Sequence, residues 1–280
     1  MQTLDSRAIR RAFQNPGTTL GFFLVVLFAF LAIFAPFIAT CDPLDIDVLG
    51  RFQPVSKTHF MGTDELGRDI FSRVVYGSRL TLQAGVTIVG IAAVLGIVLG
   101  GIAGFWGGIV ETVIMRVVDV FMSFPSLVLA LTVASALGPS LSHAVLALSM
   151  AWWPWYARIT RGQVLSVKES VYVEAGRAIG VPSLRLLFKH VLPNCISPVV
   201  VLATLDLGYA ILMMAGLSFI GVGAQPPSPE WGAMLSAGRN YITTAWWYPL
   251  FPGLALSCLV LGFNLLGDSF RDLLDPKMRR

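Results

Sequence analysis

Few side chains in this chain of 280 residues have the type and spacing that chemistry requires. The three histidines, His59, His143 and His190, share no helix-face spacing with one another or with acids, which argues against a metal site. Cys41, Cys195 and Cys258 are far apart and lack metal-ligand companions, so they read as small apolar filler rather than a disulfide or zinc framework. No Gly-x-x-x-x-Gly-Lys-Ser/Thr stretch is present to cradle phosphates, so this chain does not hydrolyse ATP alone. Clustered nucleophile motifs are also missing, and no catalytic residue is assigned. Two polar features remain. Asp206 sits between Leu205 and Leu207 in an apolar run, where a carboxylate is costly and faces protein or water. It either lines a route that attracts an amino group or another cation, or pairs with a polar group on a neighbouring helix. Glu174 and Arg177 lie in a polar, strongly patterned stretch between two apolar runs.

The elements that must position these groups are membrane helices. Hydrophobic residues make up 55% of the chain, charged residues 13%, and the mean hydropathy is +0.74. A soluble domain needs roughly a quarter of its residues charged to cover its surface. No Asp, Glu, Lys or Arg occurs from Leu80 through Val110 or from Val120 through Ala157. A crossing helix takes about 20 mostly apolar residues. Six such runs are expected: Thr18–Ala39, Leu80–Ala103, 113–137, 141–159, Ile196–Val222 and 248–268, with Gly138-Pro139-Ser140 dividing the third from the fourth. The first run is longer than the ~7–15 residues of a signal-peptide core, so it stays as a span.

With the N-terminus in the cytoplasm, the inside holds every Lys and Arg except Arg51, Lys57, Arg68, Arg73, Arg79 and Arg239, which is 14 of the 20. That bias places both termini inside, and it explains the net charge of +4 without nucleic acid. The expected fold is an all-α polytopic membrane protein in three parts. Residues 1–79 form a cytoplasmic tail, the first span and an amphipathic, partly folded extracytoplasmic segment. Residues 80–270 form a five-span core with a cytoplasmic loop at 160–195, and 271–280 a cytoplasmic tail. Trp246-Trp247-Tyr248 falls where an outer aromatic belt would begin span six, while Trp152, Trp153, Trp155 and Tyr156 suit bundle packing and inner-interface anchoring. Asp119 follows Arg116 at i, i+3, the spacing of an intrahelical pair.

The loop at 160–195 is too polar to cross and too patterned to be a linker. Ser166-Val-Lys-Glu169 has capping-box spacing and predicts a helix start. Val171, Ala175, Ala178 and Ile179 then make one apolar stripe, Gly180 is a natural C-terminal stop, and Val181-Pro182 follows it. A second short helix is expected at Ser183–His190, ahead of Leu192-Pro193.

Glu174-Ala175-Gly176-Arg177-Ala178-Ile179-Gly180, nine residues, then His190-Val191-Leu192-Pro193 resembles the Glu-Ala-Ala loop of ABC importer permeases. Gly176 departs from the second Ala of that pattern, weakening the helix by about 1 kcal/mol, and His190 departs from its Ile. Three further stretches are similar to permeases of the dipeptide, oligopeptide and nickel importer family. These are His59 through Arg73, Leu217 through Gly232 and Asn264 through Pro276, in the same order and spacing. The chain resembles the second permease type of that family.

The resemblance implies a type I ABC importer permease fold in the inner membrane of a bacterial cell. It implies a pathway built with a homologous second permease chain, driven by one or two cytoplasmic ATPase subunits that use ATP and Mg, and fed by an extracytoplasmic solute-binding protein. Glu174, Ala175, Gly176, Arg177, Gly180, Leu192 and Pro193 would form the loop that docks on the ATPase. Small residues at 175 and 178 would allow close approach, and Glu174 and Arg177 would make polar contacts at the rim. Asp206 becomes a candidate for the translocation path. Pro226, Pro227, Glu230 and Trp231, outside after span five, become candidates for contact with the binding protein or for an outer gate, or serve chain reversal alone. Di- or oligopeptides are the expected substrate, with nickel or a metal chelate as the alternative. No cofactor or metal is expected on this chain.

Overall fold

The structure is a computed structural model that describes residues 15–274, with side chains to 271. The basic residues Arg7, Arg10, Arg11, Lys277, Arg279 and Arg280, and most of the expected C-terminal tail, lie outside the described residues. Within them the chain is helical, with no strand beyond a single bridge between Thr63 and Asp69.

Helix α1, Pro16–Ile33, starts where the Asn15 side chain accepts a hydrogen bond from the Gly17 amide (2.9 Å) and Pro16 takes the first helical position. The expected first span is cut at Phe34, because Pro36 cannot continue the hydrogen-bond ladder, and α2 is a single turn at Ala35–Ile38. Residues 40–69 are more ordered than expected. The Asp64 carboxylate is fully buried and accepts from Arg68 Nε at 2.7 Å, with Arg73 Nε at 3.6 Å. Arg73 also donates to the Pro43 carbonyl (3.0 Å), and Trp247 Nε1 donates to the Thr63 carbonyl (3.2 Å). Gly67 has φ +77° and an added Cβ would stand 1.8 Å from the Asp47 carbonyl, so only glycine fits that turn.

Helix α3, Ile70–Trp106, begins ten residues before the expected second span because Asp69 caps it, accepting from the Ser72 amide at 2.8 Å. At ~1.5 Å per residue its 37 residues reach well beyond a bilayer core. The expected third span is broken: α4, Gly108–Met122, and α5, Ser126–Leu137, meet at 88° across Ser123-Phe124-Pro125. Pro125 has no amide hydrogen and disfavours helical backbone at Phe124, so the ladder stops there. Helix α6, Leu141–Val167, follows the predicted Gly138-Pro139-Ser140 break and runs eight residues past the expected end.

Helix α7 is Val171–Ala178 and α8 is Ser183–Leu186. The second short helix does not end at His190 as expected: a π-turn at Leu187–Val191 joins α8 to α9, Leu192–Ile220, without a break. In an α-turn the Pro193 ring would collide with the carbonyl of residue 189, and the wider turn relieves that clash. Gly221, at φ +96°, closes α9. Helix α10, Trp231–Gly238, leads to α11, Trp247–Leu274.

Four helices are long and apolar enough to cross a membrane, Pro16–Ile33, Ile70–Trp106, Ser183–Ile220 and Trp247–Arg271, and the bent α4–α5 pair makes a fifth if it counts as one span. Helix α6 is long enough but less apolar, and its buried face explains why. Gly96, Gly100 and Gly104 form a seam on α3 where added Cβ atoms would meet Tyr156 Cβ at 2.2 Å, the Ala157 carbonyl at 2.2 Å and the Arg161 carbonyl at 2.9 Å. Backbones that close leave much of α6 facing protein instead of lipid.

Candidate functional site

The first candidate lies at the end of the bundle where α3, α6 and α9 converge. The helix begins at Ser170, not at the predicted Ser166–Glu169 box, because α6 continues to Val167 and consumes those residues. Val173 is the one fully buried residue of α7, packed in a cluster with Phe105, Val164, Leu186, Leu187 and Leu192. Gly176 lies beside it, and an added Cβ would reach Leu186 Cδ1 at 2.9 Å. The departure from alanine at 176 thus lets α7 sit close on α8.

Gly180 ends the helix at φ +78°, with the Gly180 amide donating to the Arg177 carbonyl and the Val181 amide to the Gly176 carbonyl, both at 3.0 Å. The predicted stripe faces outward: Val171 is 81% and Ile179 80% exposed, with Ala175, Ala178 and Glu174 exposed beside them. Arg177 is exposed, and its guanidinium lies 5.5 Å from the Phe105 ring centroid. Leu192 is buried and Pro193 exposed on the following helix.

Around this end, polar contacts lock α6 to its neighbours. Lys168 Nζ donates to the Gly104 carbonyl at the end of α3 (2.9 Å), and Arg161 pairs with Glu111 through Nε at 2.6 Å. Asp119 pairs with Arg158 of α6 (2.6 Å) and not with Arg116, because the α4 face that carries it is turned toward α6.

The second candidate is a cavity of about 330 Å³ bounded by α6, α9 and the α4–α5 elbow. Asp206 lines it, and Tyr156 donates its hydroxyl hydrogen to Asp206 Oδ2 at 2.6 Å. Asp206 therefore has a polar partner on a neighbouring helix and also lines the cavity. Trp152, Trp155 and Tyr156 stand at i, i+3 and i+4 on α6, opposite Asp206 and Tyr209 at i and i+3 on α9. Trp152 stacks on Tyr209 with centroids 5.2 Å apart. From the sequence, Trp152, Trp155 and Tyr156 suited bundle packing and inner-interface anchoring, and Tyr209 was not singled out. The shared spacing on two helices was the available signal, but only the α6–α9 contact turns it into one wall.

The third set divides. Pro226 and Pro227 are exposed. Glu230 and Trp231 are fully buried and face the protein interior. Glu230 caps α10 by accepting from the amides of Gly232 (3.0 Å) and Ala233 (2.9 Å), and burial raises its pKa against those donors. Trp231 donates to the Val74 carbonyl at 3.0 Å. Of the expected aromatic belt, Trp247 and Tyr248 are likewise buried and Trp246 alone is exposed. Among the described residues, no group of three or more His, Cys, Asp or Glu side chains is placed to hold a metal ion.

A bundle of membrane-length apolar helices, with a largely aromatic cavity between them and a short exposed helix at one end, is the architecture of a polytopic membrane protein. Comparison with known proteins identifies which kind. Residues 96–280 match the family described as binding-protein-dependent transport system inner membrane component, and residues 4–54 match the N-terminal TM domain of oligopeptide transport permease C. The probable D,D-dipeptide transport system permease protein DdpC of Escherichia coli K12 is 48% identical over 263 residues, covering 94% of this chain and 88% of that protein. The dipeptide transport system permease protein DppC of Alkalihalophilus pseudofirmus is 42% identical over 272 residues, covering 97% and 90%. A chain of the MetNI methionine ABC transporter, solved in inward-facing conformations, shares the fold with TM-score 0.55 at 21% identity over 72% of this chain and 97% of that one. This chain belongs to the binding-protein-dependent transport permease family: it is a multi-pass membrane component of a transporter, not an enzyme.

Proposed function

We propose that the chain forms one half of the translocation pathway of an ATP-driven importer of di- or oligopeptides, with a homologous second permease as the other half. The peptide names of its relatives favour peptide over nickel or a metal chelate as cargo. The chain crosses the inner membrane six times, counting the α4–α5 pair and α6 as one crossing each, with both termini in the cytoplasm. An extracytoplasmic binding protein delivers substrate at the face that carries the 40–69 segment and Pro226-Pro227. One or two kinds of ATPase subunit bind ATP and Mg on the cytoplasmic side, and Asp206 lines the path between.

The exposed stripe of α7 carries this reading. Four apolar or small residues, with Glu174 beside them, face outward on a helix held from behind by Val173 and closed by Gly180. Such a helix transmits force as a rigid body when a partner grips it. Its test uses Glu174→Arg, which reverses a charge on the exposed face, and Gly180→Val, which puts a branched side chain at positive φ. Both variants should reach the membrane in normal amount, lose copurification with the ATPase, and lose peptide uptake. Wild-type uptake by either, with the ATPase still bound, would overturn the docking role.

A further inference from the structure

We infer that the cavity at Asp206 is a recognition site for a primary ammonium group, the free N-terminus of a small peptide in transit. The inference rests on the peptide-import reading and adds to it the end of the substrate that is read, and the residues that read it.

Charge comes first. Asp206 lies in the middle of a long apolar helix, and no Lys, Arg or His among the described residues comes within ion-pair distance of it. Intramembrane carboxylates are usually neutralised by a partner, so an uncompensated one that opens into a cavity is suited to a cationic ligand. Tyr156 occupies Oδ2 and thereby fixes the carboxylate's rotation, while the opposite oxygen is left for the ligand.

The walls select the kind of cation. Trp152, Trp155, Tyr156 and Tyr209 line the cavity together with Asp206, and Phe124 is contributed by the elbow. Aromatic faces attract ammonium groups through their quadrupoles and do not supply the lone pairs that a bare metal ion requires. A metal ion would find a single carboxylate and no His or Cys among the cavity's lining residues. Size is compatible: about 330 Å³ is at the small end of ligand cavities, room for the end of a peptide. Tyr156 acts here as a positioning residue and Asp206 as the binding group.

The test uses the assembled complex of both permease chains and the ATPases, purified into nanodiscs without its binding protein. Labelled dialanine and N-acetyl-dialanine are titrated as probes, with tryptophan fluorescence as a second readout. Dialanine should bind saturably, and N-acetyl-dialanine, which lacks the ammonium, about tenfold more weakly or worse, as expected for loss of one charge-assisted contact. Asp206→Asn should weaken dialanine by a similar factor without changing the response to N-acetyl-dialanine. Asp206→Glu should restore part of the preference, and Tyr156→Phe should give an intermediate loss. Equal affinity for the two probes, undiminished dialanine binding by Asp206→Asn, or no saturable binding to wild type overturns the inference. Loss of the second permease chain from the Asp206→Asn complex overturns it too, because the carboxylate would then belong to the interface. Uptake of labelled dialanine by the wild-type complex with ATP and its binding protein tests the import reading separately.

Discussion

Gly100→Ala places one methyl group where the backbones of α3 and α6 approach most directly, against the Ala157 carbonyl. The new Cβ would stand 2.2 Å from the Ala157 carbonyl oxygen and 2.9 Å from its Cα, both backbone atoms that cannot rotate away. The helices must part by roughly 1 Å to recover an ordinary contact. The displacement spreads, because Gly96 and Gly104 lie one turn to either side on the same seam, against Tyr156 and Val164. Tyr156 also holds the 2.6 Å hydrogen bond to Asp206. A shift of α6 strains that bond, because hydrogen-bond strength depends steeply on distance and angle. Overpacking of this kind costs about 1–3 kcal/mol. The Tm of the purified complex should therefore fall by on the order of 5 °C, with peptide uptake reduced. Gly90→Ala on the same helix is the control. An added Cβ there meets nothing within 4 Å, and the change should be neutral or stabilising by up to ~1 kcal/mol through helix propensity. Tryptophan fluorescence melts in one detergent, paired with uptake in proteoliposomes, separate the two variants. If Gly100→Ala melts with the wild type, or both variants fall together, the seam is not what holds these helices in register.

Two other perturbations probe the end of the bundle that carries residues 40–69 and Glu230. Asp64→Asn leaves the buried guanidinium groups of Arg68 and Arg73 without their shared full charge and should destabilise that segment by about 3–5 kcal/mol; limited proteolysis between residues 40 and 69 should accelerate markedly, and unchanged cleavage would contradict the assignment. Glu230 supplies the pH dependence. Burial raises its pKa above the ordinary 4.5, so the folded protein keeps the proton longer than the unfolded chain does. Its contribution to stability is therefore greatest below 4.5 and declines as pH rises through the raised folded value. Glu230→Gln has nothing to titrate there, so the Tm difference between wild type and variant should move against the wild type as pH rises across that window. Parallel curves would count against a buried, titrating carboxylate.

Most of the architecture was legible because lipid imposes a coarse rule. A stretch near 20 apolar residues without charge must pair its own backbone groups, and helices are the economical answer. The runs near residues 18, 80, 196 and 248 obey it, and each became a helix. Prolines account for two further outcomes, one a break and one not. Pro125 produced an 88° elbow where an unbroken span was expected, whereas Pro193 was absorbed by a π-turn and broke nothing. The same residue type ended one ladder and not the other, because neighbouring packing determines whether a proline kinks, widens or stops a helix.

For the sites, the division follows the range of the interaction. The α7 stripe and the Gly180 stop were visible in sequence, since spacing within two helical turns determines which side chains share a face. Which face would be covered was not visible. Val173 is buried and Val171 and Ile179 are exposed because Phe105 and Val164 arrive from other helices. Glu230 and Trp231 looked like surface residues in a proline-rich loop, yet α9 and the Val74 carbonyl bury them. By itself the sequence determined a membrane chain, its helices, the helix that faces outward and the lone carboxylate at 206. Only the tertiary structure decided that Tyr156, fifty residues away in sequence, holds that carboxylate at the edge of an aromatic cavity, because contacts between helices depend on how backbones approach and not on any spacing along one of them.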